Sequence, residues 1–181
     1  KLPPGTWIEL DRAALDSGTM GAPQAYWELP TSQPGSNAAL SDAEAIDQLH
    51  ELMRTTIRDQ MVADVPLGAF LSGGIDSTLI VSLMQSLSAQ KVKTFTIGFD
   101  NPGYNEAEHA KAVARHLGTE HTELYVSGTD ALNVVPKLPD IYGEPFADSS
   151  QIPTYLVSQM ARSHVTVSLS GDAGDELFGG Y

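Results

Sequence analysis

Apolar and polar side chains alternate in two short runs near the start of the chain, Gly5-Thr6-Trp7-Ile8-Glu9-Leu10 and Ala25-Tyr26-Trp27-Glu28-Leu29. A period of two with aromatic residues predicts half-buried strands. Two strands alone do not make a stable domain, so residues 1–30 read as the edge of a larger one. Turn formers then dominate in Pro30-Thr31-Ser32-Gln33-Pro34-Gly35-Ser36-Asn37, and residues 31–40 are assigned as a linker. Ser41-Asp42-Ala43-Glu44 has the spacing of a capping box. The period changes to that of a helix through Ile46, Leu49, Met53, Ile57 and Met61, which predicts a core-facing helix ending near Ala63.

Beyond Pro66, short apolar runs alternate with helical patterns. Leu67 to Leu71, Val92 to Phe99, Thr119 to Val126 and Val165 to Leu169 are the expected strands. Between them lie a helix over Thr78 to Leu87 and a second carrying Ala107, Ala110, Val113, Ala114 and Leu117. The second is capped by Asn105 and closed by Arg115, His116 and Gly118. Further helices are expected over Thr129 to Ile141, in spite of Pro136 and Pro139, and over Pro153 to Arg162. Such alternation implies an α/β fold, a doubly wound parallel sheet with helices on both faces, preceded by the short β remnant. Ligands of such sheets bind at the carboxyl ends of the strands.

Composition narrows the partners. The 181 residues include 23 acidic and 10 basic side chains, for a formal charge of −13. A surface that negative repels phosphate backbones, which argues against nucleic acid. No apolar run approaches the roughly 18 residues of a membrane span. There is no cysteine, so disulfides, thiolate metal sites and a cysteine nucleophile are excluded from this stretch; this fits a reducing cytoplasm. The five histidines show no metal-type spacing.

Two segments at strand ends carry candidate chemistry. Leu71-Ser72-Gly73-Gly74-Ile75-Asp76-Ser77-Thr78 follows the first buried strand and opens a helix. Adjacent glycines let backbone amides approach an anion, hydroxyls add donors, and the helix directs its positive end at the same point. A carboxylate at Asp76 makes sense there if it holds a divalent cation that bridges phosphate oxygens. The segment is neither a Walker A loop nor a GxGxxG fingerprint. An ordinary Ser/Gly-rich turn with a helix-stabilising Asp76 is the plainer alternative. The second segment, Ser170-Gly171-Asp172-Ala173-Gly174-Asp175-Glu176-Leu177-Phe178-Gly179-Gly180-Tyr181, follows the last strand. Three acids in five residues predict a flexible metal or nucleotide loop, or else a solvated acidic turn.

Ser72-Gly73-Gly74-Ile75-Asp76-Ser77 resembles the SGGxDS pyrophosphate loop of N-type ATP pyrophosphatases, which adenylate a carbonyl oxygen and release pyrophosphate. The loop is shared by GMP, NAD and argininosuccinate synthetases. The second segment resembles the SGxGxDExFGGY stretch of glutamine-hydrolysing asparagine synthetases and their β-lactam synthetase relatives. Thr94-Phe95-Thr96-Ile97-Gly98-Phe99-Asp100 and His116-Leu117-Gly118-Thr119-Glu120-His121 extend the likeness over nearly all of Val65 to Tyr181.

The resemblance implies an adenine nucleotide alpha hydrolase-like fold and ATP with Mg2+ as cofactors. Backbone at Leu71 and Ile97 would hold adenine. Ser72, Gly73, Gly74, Asp76 and Ser77 would surround pyrophosphate, with Ser170 and Gly171 near the ribose and α-phosphate. Asp76 and Asp175 would share Mg2+, and Asp172, an aspartate where some members carry glutamate, would assist attack by ammonia. Glu144-Pro145-Phe146-Ala147-Asp148-Ser149-Ser150 would face the acceptor. The implied reaction makes asparagine from aspartate and glutamine-derived ammonia, and the family admits a homodimer of the complete protein. Residues 1–30 would be the tail of a glutaminase domain and residues 41–181 the first part of the synthetase domain. The helical remainder with the family's catalytic lysine is expected beyond Tyr181, so the chain is expected to be a fragment that does not complete the reaction alone. A ligase with a different acceptor, or a non-catalytic nucleotide-binding module, would account for the same motifs.

Overall fold

The computed structural model describes residues 1–30, 40–99, 106–145, 147–178 and 180. The chain forms two compact units, Lys1–Ala45 and Ile46–Tyr181. In the first, β1 (Thr6–Trp7) pairs antiparallel with β2 (Gln24–Ala25), Thr6 opposite Ala25. The paired stretches are shorter than the alternation predicts, and Leu10, Tyr26, Trp27 and Leu29 are exposed. Between the strands lies a helix the sequence pattern did not suggest, α1 (Arg12–Ser17). Its six residues are too few to repeat an apolar face. It is held at its start by Asp11, whose carboxylate accepts from the Ala14 N–H at 2.7 Å. The expected linker falls, apart from Leu40, outside the described residues.

Helix α2 (Asp42–Gln60) begins with the predicted capping box. Ser41 Oγ accepts from the Glu44 N–H at 3.3 Å, and the Glu44 carboxylate accepts from the Ser41 N–H at 2.9 Å. The helix stops at Gln60, short of Ala63. Only the far end of its apolar stripe is core. Ile57 is buried, and Met53 and Met61 pack against the same cluster, whereas Ile46 is 65% exposed.

The second unit is built on four parallel strands, β3 (Leu67–Phe70), β4 (Lys93–Phe99), β5 (Glu120–Val126) and β6 (Val167–Leu169), in the order β5-β4-β3-β6. Helices α3 (Ile75–Leu87) and α4 (Ala107–Leu117) join β3 to β4 to β5. Their buried side chains Val81, Leu83, Met84, Ala110 and Ala114 pack on Ala69 and Leu71. The return to β6 uses α5 (Gly128–Val134), a 3-10 turn (Val135–Lys137), α6 (Leu138–Tyr142) and α7 (Gln151–Ala161). Side chains from these helices pack on Phe95, Ile97 and Val126 instead. Successive residues of a strand point to opposite faces, so Thr94 and Phe95 serve different cores and the sheet is covered on both sides, as predicted.

Several boundaries differ from expectation. Helix α3 starts at Ile75 rather than Thr78, because Gly74 in an extended conformation caps it. The expected single helix over Thr129 to Ile141 is three pieces, with Pro136 and Pro139 in the opening turns of the second and third. A proline ring has no N–H and crowds the preceding turn, so each restarts the helix. The Asn105 cap lies outside the described residues. Gly118 closes α4 in the left-handed conformation, φ 75°. Among the described residues no helix is long and apolar enough to cross a membrane.

Two consequences can be measured. Phe95 is 1% exposed against Val157, Ala161 and Val165, so Phe95→Ala is expected to lower the unfolding free energy by about 3–5 kcal/mol in urea titrations. On the opposite face of the sheet, His121 Nδ1 lies 2.9 Å from Thr94 Oγ1, and its Nε2 is buried without a partner among the described residues. Burial holds this imidazole below its ordinary pKa of 6.5; the Glu123 carboxylate opposes that shift and the Lys111 ammonium adds to it. Below that pH the unfolded chain takes up a proton that the folded one resists. Stability from this group is therefore full above 6.5 and declines as pH falls through that value toward the lower folded pKa. Urea midpoints at about pH 7.5 and about pH 5.5 should differ less in His121→Gln than in the parent.

Candidate functional site

The strand order sets where a ligand fits. From β3 the chain winds outward through β4 and β5 with helices on one face, then returns to place β6 on the other side of β3 with helices on the opposite face. Strands β3 and β6 are therefore neighbours, Ala69 beside Leu169, and the crossovers that lead away from β3 and back to β6 lie on opposite faces. This is the topological switch point, where open α/β sheets form a crevice. Both segments singled out from the sequence begin there.

The first segment is a tight hydroxyl-laced turn. Leu71 is 1% exposed and its N–H donates to Phe95 O at 2.9 Å. Ser77 Oγ accepts from the Ser72 N–H at 3.2 Å and lies 2.9 Å from Ser72 Oγ. Ser72 Oγ in turn accepts from the Gly74 N–H at 3.2 Å. Gly73 has φ +84°, and a β-carbon there would sit 2.7 Å from the Ala110 backbone nitrogen, so only glycine fits between this turn and the first turn of α4. No side chain caps α3, which leaves its opening amides to a ligand or water. One turn in, Thr78 Oγ1 is buried without a partner among the described residues.

Ile97 enters by strand alternation. The Phe95 carbonyl points to β3, so the backbone polar groups of Ile97, two residues on, point to the same edge. Pairing with β3 ends at Phe70 opposite Phe95, while pairing with β5 runs on to Phe99 opposite Val126. The Ile97 amide and carbonyl thus face the gap beyond Leu71.

The second segment is only partly the flexible loop expected. Residues Gly174–Phe178 form a short helix, α8, with Asp175 and Glu176 in its first turn. The correction has a local cause: the Gly174 N–H donates to Gly171 O at 3.2 Å and the Leu177 N–H to Ala173 O at 3.1 Å, so a turn feeds directly into a helical repeat. Ser170 Oγ donates to Asp172 Oδ2 at 3.0 Å. Gly179 and Tyr181 lie outside the described residues.

The two segments touch. A β-carbon on Gly171 would lie 2.7 Å from the Ser77 nitrogen, and one on Gly174 would lie 2.5 Å from Asp76 Oδ2. The Asp76 carboxylate therefore packs on the backbone of the residue preceding Asp175. Asp175 Oδ1 itself lies against Gly180, whose N–H donates to Asp175 O at 3.0 Å. The structure brings Leu71, Ser72, Gly73, Gly74, Asp76 and Ser77 together with Gly171 and Gly174 at one end of the sheet. The first turn of α4 and the left-handed Ala173 are parts of this site that no sequence pattern announced. Of the acceptor-facing stretch, Phe146 is outside the described residues. Glu144 and Pro145 line a separate cavity of about 410 Å3 with Val135, Leu138, Tyr142 and Gln151.

Residues 48–181 match the asparagine synthase family. The chain belongs to that family. It is 43% identical over 157 residues to a putative glutamine-hydrolysing asparagine synthetase 2 of Methanocaldococcus jannaschii, covering 86% of this chain and 30% of that protein. It is 40% identical over 136 residues to glutamine-hydrolysing asparagine synthetase 1 of Bacillus subtilis, covering 75% and 21%. The chain thus spans less than a third of the length of these curated relatives. Among solved structures it resembles a glutamine-dependent NAD+ synthetase from Acinetobacter baumannii in complex with ADP, with a TM-score of 0.54 at 18% identity over 96% of this chain and 31% of that one. It also resembles an NH3-dependent NAD synthetase from Campylobacter jejuni, with a TM-score of 0.52 at 17% identity over 75% and 60%. These likenesses establish the adenine nucleotide alpha hydrolase-like fold.

The contact between the segments leaves no room for a side chain at Gly171. Gly171→Ala is expected to force the two turns apart and lower the unfolding free energy by about 1–3 kcal/mol, as overpacking against backbone does, a loss to be read from urea midpoints.

Proposed function

We propose that the complete protein is an ATP-dependent, AMP-forming amide synthetase that makes asparagine from aspartate and glutamine-derived ammonia. The observation that supports this most is the contact of Asp76 and Ser77 with Gly171 and Gly174 across the switch point, in a chain of the asparagine synthase family. Residues 1–30 would then belong to the end of a glutaminase domain, and the setting would be the cytoplasm.

In this reading the Leu71 and Ile97 backbones hold the adenine edge. Ser72, Gly73, Gly74 and Ser77 surround the β- and γ-phosphates, and Ser170 and Gly171 lie by the ribose and α-phosphate. Mg2+ would be held by Asp76 and Asp175. Among the described residues no cluster of three or more acids or histidines stands ready to cage an ion. The Asp76 carboxylate lies on the backbone of Gly174, the residue before Asp175, and Mg2+ characteristically takes one or two carboxylates with the rest of its shell from phosphates and water. When bound, the ion would neutralise charge developing on the leaving pyrophosphate.

The aspartate side-chain carboxylate attacks the α-phosphorus, and the bond from that phosphorus to the bridging oxygen breaks. Pyrophosphate departs towards the turn formed by Ser72, Gly73 and Gly74, whose shape is fixed by the Ser72–Ser77 and Gly74–Ser72 hydrogen bonds, and the uncapped opening amides of α3 receive it. Ammonia then attacks the acyl carbon of the adenylate, AMP leaves, and Asp172 takes up a proton from the ammonium that forms. The hydrogen bond from Ser170 orients the Asp172 carboxylate for this.

Asp76→Asn removes a full negative charge while keeping the shape of the turn. In the complete protein it is expected to abolish ATP–pyrophosphate exchange while leaving the urea midpoint near that of the parent. Exchange retained at parental rate would remove the metal role assigned to this carboxylate.

A further inference from the structure

We infer that Ala173 is a positioning residue for the metal-binding acids: its left-handed backbone closes the turn that seats the second segment against Asp76. The inference rests on the nucleotide site proposed above. Among the described residues Ala173 is the only non-glycine with positive φ, 71°. In that region a β-carbon crowds the following carbonyl oxygen, so an L-residue is held there at a cost. The Gly174 N–H donates to Gly171 O at 3.2 Å, and Asp172 does not share the positive φ. A four-residue turn with positive φ confined to its third position is a type II turn, and that position ordinarily takes glycine.

Packing explains why the conformation persists. The backbone of Gly171 abuts the Ser77 nitrogen at one end of the turn, and that of Gly174 abuts the Asp76 carboxylate at the other. The turn is pinned to α3 at both ends, and such over-determination is what keeps a strained residue in place at a working site. Ala173 O also accepts from the Leu177 N–H at 3.1 Å, so the same residue launches α8 and fixes the direction in which Asp175 leaves the turn. With negative φ at Ala173, the chain beyond it would turn away and Asp175 would no longer follow Gly174 onto Asp76.

Two variants of the complete protein test this, with Mn2+ binding followed by electron paramagnetic resonance in the presence of a non-hydrolysable ATP analogue. A β-branched residue is a far poorer occupant of the left-handed region than alanine. Ala173→Val is therefore expected to open the turn, lower the urea midpoint and weaken Mn2+ binding by about tenfold or more. In ATP–pyrophosphate exchange the same variant should need more Mg2+ for half-maximal rate, with its rate at saturating Mg2+ much less affected. Ala173→Gly should keep parental Mn2+ affinity and raise the urea midpoint, because the β-carbon that opposes the turn is gone; this variant decides the matter if Ala173→Val does not fold. Parental Mn2+ affinity in Ala173→Val, or an unchanged or lower midpoint in Ala173→Gly, overturns the inference. A parent protein that binds no Mn2+ with the nucleotide analogue sinks the nucleotide site instead, and the Ala173→Gly midpoint still judges the turn.

Discussion

The carboxyl end of this sheet depends on one backbone-to-backbone approach, that of Gly171 to the first turn of α3. Neighbouring parallel strands lie about 4.8 Å apart, and their exit turns converge this closely only where side chains are missing. At Gly171 a β-carbon would meet the Ser77 nitrogen at 2.7 Å, and at Gly174 it would meet the Asp76 carboxylate. Remove the approach and the switch point is only a gap between two unrelated turns. With it, the opening of α3 and the Asp76 carboxylate meet the backbone of Gly171 and Gly174 directly.

A second constraint sits behind the first. Gly73 lets the Ser72–Gly74 turn lean on the opening of α4, where Ala110 presents its backbone nitrogen. The turn is therefore wedged between α4 on one side and Gly171 on the other, and its own hydroxyls, Ser72 and Ser77, lock its shape from within. A turn held in shape in this way keeps the uncapped opening of α3 in a fixed direction. The shape of the turn follows from small residues and these internal hydrogen bonds, anchored by the buried Leu71 beneath.

Local signals in the chain were legible and long-range ones were not. The capping box at Ser41 and Glu44, the strand-ending turn at Gly73 and Gly74, and the closing glycine at Gly118 each act within a few residues, and each is where the sequence pattern puts it. The prolines at 136 and 139 are visible as residues, but the apolar spacing across them stays helical and hides where the chain restarts. Helix α8 was hidden by its glycines and acids, which resemble a loop until the Ala173 carbonyl starts a helical repeat. The pairing of β6 beside β3 has no local signature, since it joins residues about a hundred positions apart, and the meeting of Asp76 with Gly174 follows only from that pairing. In residues 1–30 the aromatic alternation suggested two half-buried strands, yet most of those side chains are exposed in the unit they form.

The acidic character of the chain bears directly on what such a site selects. Formal charge is −13, and the two segments add Asp76, Asp172, Asp175 and Glu176 with no lysine or arginine between them. A free triphosphate would meet repulsion from those carboxylates at a few ångströms, where screening by salt is weak. The open amides of α3 offset part of this, but helix-end stabilisation is modest, about 0.3–1 kcal/mol for a charge at an exposed terminus. A divalent ion placed between the carboxylates and the phosphates turns that repulsion into attraction, because each acid then draws in a cation that carries the phosphates with it. In the proposed site, acids on both turns beside the uncapped amides of α3 would favour a metal–nucleotide complex over the nucleotide alone, and the negative field would become a means of discrimination between the two.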